Sequence, residues 1–203
     1  RGRLSSSLCH RLAVGNPRVF VKNDFRESPN TAVHILLDSS GSMTDSGLML
    51  ANAVCYAVGK ALQGISGVNL GITAFPGANR AKRGTTVAPV LRHGEKLTAR
   101  FPEIAYGMTP MAESLWWVMQ QMCLLHESRK IILIITDGEP DSIPAAQEVL
   151  RQAQKKGFEC YGLGIMCPSI STLLPHASRV VETLPQLAPA LFELLEGAFR
   201  RNT

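Results

Sequence analysis

No apolar run in this 203-residue chain approaches the roughly 20 residues that a membrane-crossing helix needs. The basic start, RGRLSSSLCHRLAVG, lacks the long apolar core of a secretory leader, and it does not open on Met. A processed piece or an excised domain of a longer chain is therefore expected. The five cysteines (Cys9, Cys55, Cys123, Cys160, Cys167) are odd in number and form no CxxC pair. That argues against a disulfide framework and against zinc held by closely spaced ligands; small buried thiols in a reducing, cytoplasmic compartment are expected instead. The catalytic signatures G-x-S-x-G, G-x-x-x-x-G-K-[ST] and G-x-G-x-x-G are all missing. Aromatic residues make up only 6% and do not interleave with the basic clusters, so a nucleic-acid surface is not expected.

What is present suits one folded domain. Hydrophobic residues at 45% and charged residues at 18% give an ordinary globular balance, and the length suits one good-sized core. The net charge of +5 comes from Lys and Arg clustered at the start (Arg1, Arg3, Arg11, Arg18, Lys22), in Arg80–Arg83 and at Arg200–Arg201. A solvated surface is the plain reading of these clusters, with a docking face for an acidic partner as the alternative.

Residues 1–30 are polar and basic and read as an extension or linker; residues 31–203 read as the domain. Strand patterns at Ala32–Leu37, Val68–Phe75, Thr86–Leu91, Ile131–Ile135, Phe158–Met166 and Arg179–Val181 alternate with helical spacing near Ser46–Gln63, Met111–His126, the stretch after Ser142, and the C-terminal Leu187–Ala198. This βα alternation implies an α/β fold, a doubly wound three-layer sandwich with a mainly parallel sheet. The short connection before Thr86–Leu91 makes that strand the antiparallel edge. In such sheets the binding crevice lies at the carboxyl ends of the strands.

Two acids stand at those ends. The stretch 32-AVHILLDSSGSM-43 delivers Asp38, then Ser40 and Ser42, with Gly41 relaxing the turn. A second apolar run ends in 136-TDGEPDS-142, bringing Asp137. A third loop, 107-GMTPMAES-114, offers Thr109 ahead of a helix. All five are oxygen donors, which suits Mg²⁺, with Mn²⁺ or Ca²⁺ as substitutes. Two carboxylates roughly neutralise a divalent ion, while the hydroxyls add geometry without charge. Such an ion keeps waters and can accept an oxygen from a partner's Glu or Asp. Turn and cap chemistry is the competing reading for each residue alone. Nearby, Asp141 or Ser142 reads as a helix cap and Glu139 as an outer hydrogen-bonding neighbour. His34, His93 and Met43 read as a core or face residue, a surface residue and packing beneath the loop. Gly162 and Gly164 signal a close backbone approach.

Together DSSGSM, GMTP and TDGEPD resemble the metal-ion-dependent adhesion site of von Willebrand factor A domains, over about residues 31–201. The resemblance implies a Rossmann-like sandwich and one Mg²⁺ surrounded by Asp38, Ser40, Ser42, Thr109 and Asp137. The hydroxyl residues would bind directly in one state, and the acids partly through water. The approach 15-GNPRVFVKNDFRE-27 is further similar to the C-terminal domain of cobaltochelatase T-subunit-like proteins, which implies cobalamin biosynthesis, an ATP-dependent chelatase complex and a MoxR-type AAA+ ATPase as partner. A non-catalytic, Mg²⁺-dependent protein-interaction module is the reading preferred. A metal-dependent hydrolase or phosphotransferase is the alternative, disfavoured because Ser40 stands where an aspartyl phosphotransferase wants a second acid and no His or Lys accompanies the acids as a base.

Overall fold

The computed structural model describes residues 3–4, 20–21, 30–77, 87–98 and 100–200. Apart from residues 3–4 and 20–21, positions 1–29 lie outside the described residues, and with them most of the segment similar to the chelatase proteins; so do the basic positions 80–83. Two short strands, β1 (Arg3–Leu4) and β2 (Phe20–Val21), pair antiparallel.

The main sheet starts with β3 (Thr31–Asp38), whose eight residues are all buried. A strand covered on both faces must be apolar throughout, as this run nearly is. Its neighbours are β4 (Val68–Phe75) and β6 (Arg129–Thr136), both parallel to it. Beyond them lie β5 (Ala88–Leu91), antiparallel to β4, and the parallel strands β7 (Phe158–Ile165) and β8 (Ser178–Val181). The order is β5-β4-β3-β6-β7-β8. From β3 the chain moves to β4 and β5 on one side, and β6, β7 and β8 fill the other. The sheet's topological switch therefore falls between β3 and β6, where flanking loops part and leave a crevice.

Alternate residues of β3 face opposite layers. Val33, Ile35 and Leu37 pack with α1 (Thr44–Gln63) and α5 (Leu187–Arg200). Ala32 and Leu36 pack with α2 (Met111–Cys123), α3 (Ile143–Lys155) and α4 (Ser169–Leu173). The result is the expected three-layer α/β sandwich with one antiparallel edge strand. Each fully buried Leu or Ile contributes about 1.5–3 kcal/mol.

Local signals explain most boundaries. Ser142 accepts from the Ala145 N–H and caps α3, with Pro144 in the first turn and Gly157 (φ +81°) after the end. Elsewhere the structure departs from the sequence reading. The second helix stops at Cys123 rather than His126, because the Leu124 and Leu125 N–H groups close tight turns back to Gln121 and Met122. The short α4 was not expected; it packs onto glycines of β7, where a Cβ on Gly162 would sit 2.5 Å from Ile170 Cγ1 and one on Gly164 2.4 Å from the Cys167 carbonyl. Cys55, Cys160 and Cys167 are buried, whereas Cys123 is exposed because it sits on the last, outward turn of α2.

Candidate metal centre

Asp38 ends β3 and is fully buried. The parallel register that pairs Leu37 with Ile135 brings Asp38 beside Thr136, the last residue of β6. Thr136 Oγ1 donates to Asp38 Oδ2 at 2.5 Å, and the Ser40 N–H donates to Asp38 Oδ1 at 2.8 Å. Burial raises the Asp38 pKa to about 6. The hydrogen bonds from Thr136 and Ser40 pull against that, and the neighbouring Asp137 charge adds to it. Asp137 is also raised, first by burial, with the hydrogen bond from Ser42 opposing.

The three loops are stapled to one another. Ser39 Oγ donates to the Phe75 carbonyl at 3.1 Å and the Tyr106 N–H donates to the Ser39 carbonyl at 2.9 Å. The Gly41 N–H donates to the Gly107 carbonyl at 3.1 Å, with Gly107 at φ +80°. The Thr109 N–H donates to Asp141 Oδ1 at 2.8 Å, and the Asp141 N–H returns to the Thr109 carbonyl at 3.0 Å. Asp141 therefore does not cap α3; it fixes the height of Thr109, and Ser142 takes the cap. Thr44, just past the serines, holds φ 51°, a conformation costing a β-branched residue about 1–3 kcal/mol.

The hydroxyls converge. Ser40 Oγ and Ser42 Oγ lie 3.0 Å apart, and Ser42 Oγ donates to Asp137 Oδ1 at 2.7 Å. Gly138 marks the cradle: the three atoms nearest to a Cβ there would be Ser42 Oγ at 3.1 Å, Thr109 Oγ1 at 3.3 Å and Ser40 Oγ at 3.9 Å. Three hydroxyls from two loops thus gather at one point beside Asp137, and the Asp38 carboxylate is tied to the same loops through the Ser40 N–H and Thr136. Among the described residues, no three His, Cys, Asp or Glu side chains gather into a metal-holding group; the donor set here is hydroxyl and carboxylate oxygen, which fits a hard divalent cation.

The von Willebrand factor type A domain profile matches residues 32–190. The chain belongs to that family. Its fold is shared with other VWA structures at low identity. Manganese-loaded Plasmodium vivax TRAP protein superposes with a TM-score of 0.62 at 14% identity, covering 83% of this chain and 74% of that one. The SpRpn10 VWA domain gives 0.64 at 10% identity, covering 80% and 94%. Proximal thread matrix protein 1 from the mussel byssus, with a zinc-occupied MIDAS motif, gives 0.68 at 11% identity, covering 84% and 46%, so this chain spans about half of that protein's length. Comparison with curated protein sequences gives no match.

Of the residues singled out in sequence, Asp38, Ser40, Ser42, Thr109 and Asp137 all lie at this VWA cradle. Thr136 and Gly138 were missed; the signal for both is the tripeptide that closes the apolar run, T-D-G. His93 is not a plain surface residue: it is half-buried, with Nε2 2.9 Å from His34 Nδ1, while His34 Nε2 lies 2.9 Å from Thr73 Oγ1. Gly71 makes this pair fit, since a Cβ there would lie within 2.6 Å of both rings. Burial lowers both imidazoles below the usual histidine value.

Proposed function

We propose that this VWA domain is a divalent-cation-dependent protein-interaction module. Asp38, Ser40, Ser42, Thr109 and Asp137 would hold the ion, Mg²⁺ first, with Mn²⁺ or Ca²⁺ as substitutes. The observation that carries this reading is the convergence of three hydroxyls on the point beside Gly138. A bound ion supplies an electrophilic position that an outside carboxylate completes. The chain's own residues do the rest. Thr136 and the Ser40 N–H orient Asp38, Asp141 sets the height of Thr109, and the Ser39 and Gly41 hydrogen bonds keep the loops in register.

Exposed apolar side chains support a protein partner. Met108, next to Thr109, is 71% exposed, and so is Met166, whose neighbour Cys167 donates through Sγ to the Gly138 carbonyl. Tyr106 is 54% exposed. Large apolar groups left in water around a polar centre mark an interaction surface, and methionine adapts to irregular partners. The partner would bring a Glu or Asp flanked by apolar residues. The sequence similarity around 15-GNPRVFVKNDFRE-27 favours a cobaltochelatase T-subunit-like protein and an AAA+ ATPase of the MoxR type in the cytoplasm. Among the described residues, no helix is long and apolar enough to cross a membrane.

The test is pull-down of a candidate AAA+ partner by the tagged domain, with Mg²⁺ or with chelator, for wild type and Thr109→Ala. Capture that needs both Mg²⁺ and Thr109 supports the reading. Capture that survives chelation and the substitution rejects the metal bridge, and metal-dependent phosphatase turnover would favour an enzyme.

A further inference from the structure

At the far edge of the sheet, away from the cradle, stands a second charged feature. Among the described residues, the edge strand β5 pairs only with β4. A groove of about 370 Å³ runs beside it, lined by Val90, Arg92, Glu95, Lys96, Thr98 and Arg100 among others. Arg92, Lys96 and Arg100 are exposed, and none of them enters either of the ion pairs found among the described residues, Arg129–Glu159 and Arg151–Glu148. The carboxylate in the groove, Glu95, is turned to its own turn, accepting from the Arg92 N–H at 3.2 Å. Three cations against one such carboxylate leave the groove positive.

The segment that carries these charges is pinned. Leu91 and Leu97 are buried. The Gly94 N–H donates to Asn69 Oδ1 at 2.9 Å, Gln63 Nε2 donates to the Glu95 carbonyl at 2.9 Å, and the Leu97 N–H donates to Gln63 Oε1 at 3.1 Å. Fixed cations lose less freedom on binding than cations on a loose loop. The turn at Gly94 is tied to Asn69 near the start of β4, whereas the cradle lies at the strands' carboxyl ends, and none of the groove's described lining residues belongs to the cradle.

We propose that this groove is a docking surface for an acidic, extended polypeptide segment, separate from the cation cradle. Charge complementarity selects the occupant. Among the described residues, the groove lining contains no aromatic side chain on which a nucleic-acid base could stack, which favours a peptide over single-stranded DNA or RNA. Pro89 within β5 has no N–H to give, so side-chain charge rather than a long backbone ladder would provide the affinity.

The experiment uses the whole 203-residue chain and a fluorescein-labelled hexaglutamate peptide, followed by anisotropy. Every arm contains EDTA, so a carboxylate bound through a cation at the cradle does not contribute and failure here leaves the metal reading untouched. Binding is expected at low salt, weakening about tenfold as screening shortens the reach of the charges. The triple variant Arg92→Glu, Lys96→Glu, Arg100→Glu should bind at least about tenfold more weakly, while Lys155→Glu, Lys156→Glu at the C-terminal end of α3 should bind like wild type. Circular dichroism confirms that both variants are folded. No binding at low salt overturns the proposal. So does unchanged binding by the triple variant, equal loss in the α3 variant, or a single-stranded oligonucleotide of equal charge binding as tightly as the peptide.

Discussion

Replacing Gly138 with Ala separates the cradle from the fold. The new methyl would lie 3.1 Å from Ser42 Oγ and 3.3 Å from Thr109 Oγ1, inside the ordinary contact distance. These hydroxyls must move by a few tenths of an ångström. They are the flexible ends of side chains, so the fold loses little: less than about 1 kcal/mol, or roughly 2–4 °C in Tm for a domain of this size. The cation site loses more, because Mg²⁺ accepts only near-ideal octahedral geometry at about 2.0–2.1 Å. Disturbing groups that position ligands costs about 10–100-fold in metal affinity. Gly164→Ala is the contrasting control. Its methyl meets the Cys167 carbonyl at 2.4 Å, with Ile170 at 2.7 Å, in the packed layer under α4. Overpacking of that kind costs about 1–3 kcal/mol, hence about 2–12 °C in Tm. Calorimetric titration with Mg²⁺, paired with thermal melts in EDTA, reads both effects. Mg²⁺ binding by Gly138→Ala equal to wild type, or melting as early as Gly164→Ala, would show that Gly138 does not shape the cation site apart from the fold.

Other outcomes follow from the same structure. The His34 and His93 imidazoles titrate below the unfolded value near 6.5, so their contribution to stability is full above that pH and is lost as pH falls through the native values, by about 1.4 kcal/mol per pH unit for each histidine. Asp38 acts oppositely, since its raised pKa of about 6 adds stability as pH falls; the difference in urea stability between wild type and His34→Gln, measured from pH 7.5 down to about 5, isolates the histidine effect. A difference that does not change with pH would reject it. Arg129 donates to both Glu159 oxygens, at 2.5 and 2.7 Å, and to the Ala198 carbonyl at 2.6 Å, so Arg129→Met should cost about 1–3 kcal/mol and speed amide exchange at the end of α5; exchange that stays unchanged there would count against the clamp. Asp141→Ala should leave α3 intact, because Ser142 holds the cap, yet weaken Mg²⁺ binding about tenfold by freeing the Thr109 N–H. Far-ultraviolet dichroism and titration check the two halves.

The layered fold was readable because each strand is a short apolar run and each helix has its own periodicity and stop. Asp38 and Asp137 stood out as acids breaking such runs. Thr136 did not, because a threonine ending a β-branched run looks like one more strand residue, and its bond to Asp38 exists only through the β3–β6 register. Asp141 was misread for a related reason: an acid before a helix is a normal cap, and only the distant loop carrying Thr109 gives it another task. The pairing of His34 with His93 needs Gly71 on the intervening strand, a three-residue arrangement with no local pattern. Helix α4 has five residues, too few to show a helical period.

The most direct measurement is an anomalous-scattering map from crystals of the domain soaked in Mn²⁺. One strong peak is expected within bonding distance of the Ser40, Ser42 and Thr109 hydroxyls, beside Asp38 and Asp137, and it should disappear in Thr109→Ala. A map with no peak there at millimolar Mn²⁺, or with the metal on the His34–His93 pair instead, would contradict that expectation.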